Sequence, residues 1–331
     1  MNQDLLSDVL RSVRLRGALY FHVSGTRDWA AEAPPSREIA AAVMPGSEHV
    51  IEFHAVISGA GWGAAVGGEP VRLGAGDIIL FPHGDAHVIS SAPGLRAPAD
   101  PEGYLARQAK RLPFILHLDA REVRSGKAPG AASDTTLVCG FLGCDLRPFN
   151  PLIASLPRLL HLPAGSGQDW AVQCMRQAAL EASSLRPGGG AMLERLSEML
   201  FIDAVRQYLN TLPEESNGWL AGLRDRFVGR ALTLLHAAPA QPWTVAELGR
   251  RVGLSRSAFH ERFAGMIGQT PMQYLARWRL QAGAALLRDT AATIAAVAQE
   301  VGYESEASFS RAFKRFVGTP PARWRREQAQ N

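Results

Sequence analysis

Two histidines and two cysteines in the first half of the chain carry side chains that bind transition metals. His83 and His87 lie close together, and Cys139 and Cys144 occur in the segment LVCGFLGCD. Imidazole nitrogens and thiolates are the ligands that Zn²⁺ prefers in tetrahedral sites. These four side chains would complete one such site, so Zn²⁺ is the candidate cofactor of this region.

The spacing of the cysteines also allows two other interpretations. Residues five apart on a regular strand point to opposite faces, so Cys139 and Cys144 share a site only if Gly140 and Gly143 allow a bulge or a turn. A redox sensor is the second interpretation, and it requires an accessible thiol with a lowered pKa. In the third, both thiols are buried core groups, as free cysteines often are. Cys174 is predicted to be a core residue.

The residues around these side chains have the pattern of short β-strands. Residues 17 to 150 are rich in Gly and Pro and contain the segments GALYFHV, HVIEFHAVI, GDIILFP, FILHLDA and TTLVCGFL. Turn-forming residues separate these segments. The pattern predicts an all-β sandwich or barrel.

One string of this region, GDIILFPHGDAH at residues 76 to 87, fits the pattern G-x5-P-x-G-x2-H. It resembles the second motif of the cupin family, which implies a cupin-like β-barrel with His87 directed into its interior, where cupin enzymes bind metal. The first cupin motif usually offers a pair of histidines and a later Glu. Here His54 is present, but Val56 stands at the second position and no later acid fills the gap. The resemblance therefore implies a sensor barrel, and a metal-dependent cupin enzyme is the alternative.

From residue 157 the pattern becomes helical, in LPRLLHL, QDWAVQCMRQAALEASSL and AMLERLSEMLFIDAVRQYL. Over residues 191 to 210, apolar residues recur at helical spacing with charged residues between them. This helix is the candidate dimer contact, and a homodimer is expected. TLPEESNG at residues 211 to 218 is polar and contains Pro and Gly, which predicts an interdomain linker.

Two segments in the last third of the chain follow one pattern. VAELGRRVGLSRSAFHERF at residues 245 to 263 returns more loosely as IAAVAQEVGYESEASFSRAFKRF at residues 294 to 316. In each copy an apolar helix face precedes a glycine turn, and Ser255 or Ser305 can cap a second helix. The aromatic residues predicted to face inward are Phe259, Phe263, Phe309, Phe313 and Phe316. Each copy is thus a predicted helix-turn-helix, and MQYLARWRLQAGAALLRD between them is a predicted rigid spacer.

Residues 224 to 326, including GYESEASFSRAFKRFVGTPPARWR, resemble the DNA-binding domain of the AraC/XylS family of transcription regulators. The resemblance implies that each second helix enters a major groove, the two grooves lying one turn, ~34 Å, apart on one duplex. The residues expected to face bases are Arg256, Ser257, His260 and Glu261 in the first copy, and Glu306, Ala307, Ser308 and Arg311 in the second. The residues expected to contact phosphates are Arg262, Lys314 and Arg315.

Three of these side chains have more specific expected roles. Arg311 could form a bidentate contact with a guanine, and Glu261 or Glu306 could accept a hydrogen bond from a cytosine amine. For Glu306, a favourable interaction with the helix dipole is an open alternative because it lies in the first turn of its helix.

The distribution of charge favours a polyanionic partner for the last third of the chain only. Residues 219 to 331 contain 16 Lys or Arg against 8 Asp or Glu, whereas residues 1 to 218 contain 19 against 23. Cationic side chains gain affinity for DNA by releasing counterions from its phosphates. No apolar run reaches the ~18 residues of a membrane-spanning helix. With three cysteines and no secretion signal, a cytoplasmic protein without a membrane partner is expected.

Taken together, the patterns predict an α+β multidomain chain. Its expected parts are a cupin-like β-barrel at residues 1–156, a helical connector at 157–218, and an all-α domain with two helix-turn-helix motifs at 219–331. The expected function is sequence-specific regulation of transcription, controlled by a small molecule, a metal or an oxidant. Its expected partners are double-stranded promoter DNA and the effector, with RNA polymerase as a further candidate. The alternative is a metal-dependent cupin enzyme fused to a nucleic-acid-binding domain.

Overall fold

The computed structural model describes residues 4–97, 114–119, 122–125, 133–165, 169–184 and 186–329. The chain forms two compact units, which we name the β unit and the helical unit. The β unit contains Leu15–Cys144 and Leu156–Asn210. The helical unit contains Met1–Arg14, Asp145–Ser155 and Thr211–Asn331.

Two sheets build the β unit. Its described strands are β1 (Arg16–Thr26), β2 (Ala30–Ala33), β3 (His49–Ser58), β4 (Ala60–Ala65), β5 (Val71–Gly74), β6 (Ile78–Phe81), β7 (His87–Ser90), β8 (Phe114–Asp119), β9 (Glu122–Ser125), β10 (Thr135–Cys144) and β11 (Leu160–Leu162). The larger sheet has the strand order β11-β6-β3-β10-β1-β8-β9, and the smaller has the order β2-β7-β4-β5. The described neighbours pair antiparallel, apart from β1 and β8, which are parallel.

Apolar side chains from both sheets form the core of the β unit. Phe21 and Leu137 come from the larger sheet, whereas Leu73 and Ile89 come from the smaller one, and all four belong to one buried cluster. β10 is buried along nearly its whole length. It lies between β1 and β3 in the sheet, the core covers one face, and the helix Asp169–Ser184 packs against all three strands. A strand covered on both faces reads as a continuous apolar run, which explains the segment TTLVCGFLGC. The region is rich in β-strands as predicted, although the helix Ser36–Val43 lies within it.

The described helices of the β unit are α2 (Ser36–Val43), α4 (Asp169–Ser184) and α5 (Gly189–Thr211). α5 contains the predicted helix at residues 191–210. The prediction of helix for LPRLLHL is wrong, because Leu160–Leu162 forms β11 and pairs antiparallel with β6. Periodicity cannot distinguish a strand from a helix in so short an apolar run, so the adjacent strand decides.

The remaining described helices belong to the helical unit. They are α1 (Leu5–Ser12), α3 (Pro151–Ala154), α6 (Trp219–Arg224), α7 (Arg226–Ala237), α8 (Val245–Val252), α9 (Arg256–Ile267), α10 (Pro271–Asp289), α11 (Ile294–Glu300), α12 (Glu306–Val317) and α13 (Pro321–Ala329). α10 is the predicted spacer helix, and Leu280 and Leu287 on it pack in one core with Phe309 and Phe313 of α12. Across the described part of the chain, each helix is either too short or too polar to cross a membrane.

The helical unit includes two segments that lie early in the sequence. α1 packs against α7 and α10, and α3 packs against α6. Val9 and Leu152 from these segments are completely buried. The structural division therefore differs from the predicted boundaries after residues 156 and 218, because residues 1–14 and 145–155 contribute apolar side chains to the helical unit.

Candidate nucleic-acid interface and buried polar cluster

The first repeated motif consists of α8 and α9. Gly253 ends α8 with φ of 88°, in the left-handed region that residues with a side chain avoid. The Ser255 hydroxyl then caps α9 by accepting a hydrogen bond from the Ala258 backbone N–H at 3.2 Å. Phe259 and Phe263 are completely buried, so the opposite face of α9 is left for solvent.

The second motif consists of α11 and α12. Ser305 caps α12 by accepting from the Ser308 backbone N–H at 3.2 Å, and the Ser308 side chain bonds back to the Ser305 backbone. This reciprocal arrangement is a capping box. Phe309 and Phe313 are completely buried. Both predicted helix-turn-helix motifs are therefore confirmed.

Phe316 is the aromatic residue for which the prediction is wrong. It was expected to face inward, but 37% of its surface is exposed. The guanidinium groups of Arg277 and Arg315 lie 5.8 Å and 5.9 Å from the centre of its ring. Because these cations cover part of the ring, Phe316 remains at the surface of α12.

The residues predicted to contact DNA are exposed, apart from Ser308, which is half-buried and occupied in the α12 cap. The exposed members are Arg256, Ser257, His260, Glu261, Arg262, Glu306, Ala307, Arg311, Lys314 and Arg315. Among the described residues, Arg256, Arg311 and Lys314 have no ion-pair partner. These three cations are available to an external anion.

Arg262 is held by an acid instead. Its Nε donates a hydrogen bond to Asp225 Oδ2 at 3.0 Å, and its guanidinium lies 5.3 Å from the centre of the Phe227 ring. Asp225 also accepts hydrogen bonds from the backbone N–H groups of Phe227 and Val228 at the start of α7. Burial alone would raise the pKa of Asp225, but the hydrogen bonds from Arg262 and the two amides outweigh it and lower that pKa. Arg262 thus links α9 to α7.

A buried polar cluster lies in the β unit. Glu52 and His54 alternate on β3 and so share one face of the strand, and His87 begins β7. Each offers one ligand atom, and these three atoms lie within 4.8 Å of one another. His54 Nε2 and His87 Nε2 are 2.7 Å apart, and His87 Nε2 lies 3.8 Å from Glu52 Oε2.

The hydrogen bonds of the cluster indicate which nitrogen atoms carry protons. His87 Nδ1 lies 2.9 Å from the backbone oxygen of Asp85, to which it can only donate. His87 Nε2 is therefore an acceptor, and His54 Nε2 donates to it. Among the residues that the structure describes, this leaves His54 Nδ1 as an acceptor without a partner, and Glu52 Oε1 likewise has none.

Burial controls the ionisation of the cluster. It raises the pKa of Glu52 to about 8 and lowers the pKa of His54 well below its ordinary value. It also lowers the pKa of His87 to about 4, despite the opposing hydrogen bond to Asp85. Removing a charged group from water disfavours its charged form. At neutral pH, in the absence of a bound cation, the cluster is consequently uncharged.

The cluster borders a cavity of about 90 Å³ in the β unit. Most of the lining is apolar and comes from the larger sheet and β2. The apolar lining includes Phe21, Val23, Trp29, Ile89, Leu116, Leu118, Leu137 and Phe141. Glu32, Glu52, His54 and Cys139 supply polar groups, and the buried Trp29 Nε1 has no hydrogen-bond partner among the described residues.

Comparison with known proteins bears on both units. A family model described as a cupin matches residues 4–210, and one described as a helix-turn-helix domain matches residues 248–327. An AraC-like transcription regulator of Streptomyces lividans is 32% identical over 325 residues, which are 98% of this chain and 98% of that relative. The chain belongs to the AraC-like transcription regulators.

Two further similarities accompany this assignment. The transcriptional regulator AlkR of Acinetobacter baylyi is 27% identical over 328 residues, covering 98% of this AraC-like regulator and 99% of the relative. The DNA-binding domain of AdpA, solved in complex with a target DNA, is 27% identical over 32% of this chain and 96% of that chain, with a TM-score of 0.31. The regulator is thus a DNA-binding protein of the AraC type with an N-terminal cupin domain.

The four predicted zinc ligands of this AraC-like regulator do not converge. His83 Nε2 lies 2.9 Å from the backbone oxygen of Leu156, away from the His87 cluster. Cys139 pairs with His54 and Cys144 pairs with His49, and the β10–β3 register does not shift between these two pairs. The bulge that would bring the two cysteines to one face is therefore missing between them. His87 is the one predicted ligand in the polar cluster, whose other members are Glu52 and His54.

The ligand set predicted from the sequence omits Glu52 because it consists of His and Cys side chains. The signal was present, since Glu52 lies two residues before His54 in a predicted strand and so on the same face. The cupin pattern usually has its glutamate after the histidines, whereas Glu52 precedes His54.

The cysteines of the AraC-like regulator have the environment of core groups. Cys139 is 7% exposed and Cys144 is 2% exposed. Burial, together with the nearby Glu52 carboxyl group, raises the pKa of the Cys139 thiol. A redox sensor needs an accessible thiol with a lowered pKa. The Cys139 thiol is buried and its pKa is raised, so it meets neither requirement. Cys174 is buried as predicted.

Proposed function

We propose that this AraC-like regulator reads a specific DNA sequence with the exposed faces of α9 and α12. The observation that carries the proposal is that both helices are capped by serines while Arg256 and Arg311 stay exposed without ion-pair partners. Arginine can donate two hydrogen bonds to the O6 and N7 atoms of guanine in the major groove. Since α10 joins the two motifs, the two helices together would recognise a longer DNA sequence than either motif alone.

The side chains of α12 divide between sequence reading and positioning. Arg311 is assigned to a base edge, whereas Lys314, one helical turn further on, is assigned to a phosphate. Ala307 is small enough to allow a thymine methyl group to approach. Glu306 lies in the first turn of α12, where its carboxylate either accepts from a cytosine amine or stabilises the helix N-terminus.

Selection of duplexes from a random pool with the full-length protein tests this assignment. The expected product is one enriched sequence with two preferred blocks about 10 base pairs apart, matching successive major grooves on one face. Recovery of a pool without sequence preference would contradict it. That result would indicate a protein that coats DNA through phosphate contacts alone.

The cupin domain is proposed to be the sensing part of the regulator. Its polar cluster fits a divalent metal ion such as Zn²⁺, because two imidazoles and a carboxylate are suitable ligands. Glu52, His54 and His87 would hold the ion. The buried Glu52 Oε1 supports this assignment, because it has no hydrogen-bond partner among the described residues and a cation would give it one. The ion would supply a positive charge that compensates the buried carboxylate.

The adjoining cavity is proposed to receive a small effector. Its aromatic and aliphatic lining suits a mainly apolar molecule. The unpartnered Trp29 Nε1 supports an effector with one hydrogen-bond acceptor, since a buried donor without a partner is costly.

Metal analysis of full-length protein purified without chelator tests the ligand assignment. H54A is expected to lose the metal because it removes a proposed ligand, whereas H83A is expected to retain it. The two variants form a matched pair, since His83 belongs only to the ligand set predicted from sequence. Loss of metal in H83A but not in H54A would contradict this assignment and favour the ligand set predicted from the sequence. If wild-type protein contains no metal, the proposed metal site is rejected and an organic effector is the remaining candidate.

A homodimer through α5 is also proposed. Met192 and Met199 lie seven residues apart, on the same side of the helix, and each is 47% exposed. Leu196, between them, is half-buried. Exposed methionines of this kind are enriched in protein interfaces.

A further inference from the structure

Two short segments of the helical unit continue directly from neighbouring strands of the β unit. β1 and β10 pair antiparallel, with Arg16 opposite Gly143. The chain before β1 and the chain after β10 enter the helical unit, where the Asp145 backbone N–H donates to the Val13 backbone oxygen at 2.8 Å. The two segments therefore stay hydrogen-bonded to each other after leaving the sheet.

One buried side chain of the spacer helix holds both segments. Gln281 on α10 is 1% exposed. Its Nε2 donates to the Ser12 backbone oxygen at 2.9 Å, and its Oε1 accepts from the Phe149 backbone N–H at 3.0 Å. A single carboxamide thus satisfies one buried acceptor at the end of α1 and one buried donor in the segment that follows β10.

An ion cluster makes a second connection two helical turns further along α10. Asp145 accepts two hydrogen bonds of 2.7 Å from Arg14, and Arg288 Nη1 lies 3.4 Å from Asp145 Oδ2. The exposed fractions of these side chains are 5% for Asp145, 13% for Arg14 and 12% for Arg288. Gln281 and Arg288 are seven residues apart, about 10 Å along the helix, so α10 holds the two segments at two points.

We infer that Gln281, supported by the Arg14–Asp145–Arg288 cluster, is a positioning residue that couples the cupin domain to the spacing of the DNA-reading helices. α10 lies between the two helix-turn-helix motifs in the chain. A shift of β1 against β10 would move the two segments to which Gln281 is hydrogen-bonded. Because Gln281 belongs to α10, this movement would displace α10. The inference goes beyond DNA reading, but it depends on the proposed sensing role of the cupin domain.

Coupling of this kind is reciprocal. If the state of β1 and β10 alters DNA binding, then bound DNA must alter β1 and β10 to the same extent. The effector is therefore not needed for a test. The probe is a duplex recovered by random-pool selection with the full-length protein, and the readout is hydrogen exchange of the β1 and β10 amides with and without it.

The decisive variant is Q281M, which keeps the length of the side chain and removes both hydrogen bonds. Wild-type protein is expected to show a DNA-dependent change of about fivefold or more in the exchange rates of these strands, the lower end of typical coupling. Q281M is expected to bind the duplex and to lose most of this change. Q273M is the matched control, since Gln273 is an exposed glutamine on the same helix that only caps it, and it should keep the change.

Two results would overturn the inference. One is a DNA-dependent exchange difference in Q281M equal to that of wild type. The other is wild-type protein that binds its selected duplex with no change in β1 or β10, which would leave sequence-specific reading intact and reject only the coupling. If Q281M does not fold, D145N tests the same connection through the ion cluster and should reduce the exchange difference likewise. A purely structural role would lower stability in both variants without reducing that difference.

Discussion

Arg262 and Lys314 show why exposure alone does not assign a DNA contact. Both are exposed cations on the second helix of a motif. Arg262 is held by Asp225, which lies 37 residues earlier in the chain, whereas Lys314 has no ion-pair partner among the described residues. The family resemblance implied a phosphate contact for both, and the helical pattern indicates only that both are exposed. It does not report a partner that folding brings from another helix.

This difference predicts unequal salt dependence. K314A is expected to lower the slope of log affinity against log salt concentration by about 0.9, because one fewer phosphate counterion is released. R262A is expected to leave the slope unchanged and to lower stability by up to about 1 kcal/mol, the usual range for a partly exposed ion pair. The measurement is DNA affinity at several salt concentrations. An equal loss of slope in R262A would mean that Arg262 leaves Asp225 for a phosphate.

His236 gives the helical unit a specific dependence on pH. Burial lowers its pKa to about 3, from an ordinary value of 6.5. Its ring stacks on Trp278 at 3.7 Å between centres, and its Nε2 lies 2.7 Å from the Tyr274 hydroxyl. Between these two pKa values only the unfolded state binds the proton, so this group lowers the free energy of unfolding as the pH falls.

H236Q is expected to reduce the slope of the free energy of unfolding against pH below about pH 6.5, by up to about 1.4 kcal/mol per pH unit. Chemical unfolding at a series of pH values measures the slope, which is independent of any constant loss from the substitution. Y274F serves as the control, since it removes the hydroxyl but keeps the titrating ring and should retain the wild-type slope. An unchanged slope in H236Q would show that His236 is protonated in the folded protein.

At the scale of elements, local signals predicted the helical unit better than the β unit. The caps at Ser255 and Ser305, and the glycine after α8, are encoded within a few residues. The five segments predicted to be β-strands correspond to β1, β3, β6, β8 and β10. β11 was missed because its conformation depends on pairing with β6, more than seventy residues earlier in the chain. Long-range pairing of this kind leaves no local periodicity.

The exposed face of α5 gives a prediction for assembly. M192E and M199E are each expected to convert the dimer to a monomer, because a twofold contact buries each new charge twice. Sedimentation of the purified protein measures the mass. V66E is the control, since Val66 is 42% exposed on the β unit and lies outside α5. A dimer that persists in both methionine variants would exclude this face.

At the scale of the whole molecule, the division of the chain was the least predictable feature. Residues 1–14 and 145–155 belong to the helical unit although they flank the strands of the cupin domain in sequence. Composition and periodicity can show where a local pattern changes, but they do not show which distant part of the chain a short segment packs against. The packing of Val9 and the hydrogen bonds of Gln281 are among the contacts that reveal their partners. The cupin family match, which spans residues 4–210, also passes through both segments without a break.

The central claim is that α9 and α12 each read a separate part of one DNA sequence. Random-pool selection with R256A and with R311A, compared with wild-type protein, tests it most directly. Each variant is expected to relax the base preference in a different block, the two blocks lying about 10 base pairs apart, at a cost of about 1–3 kcal/mol per lost base contact. Relaxation of the same positions by both variants, or an equal loss of affinity for every sequence, would contradict the claim.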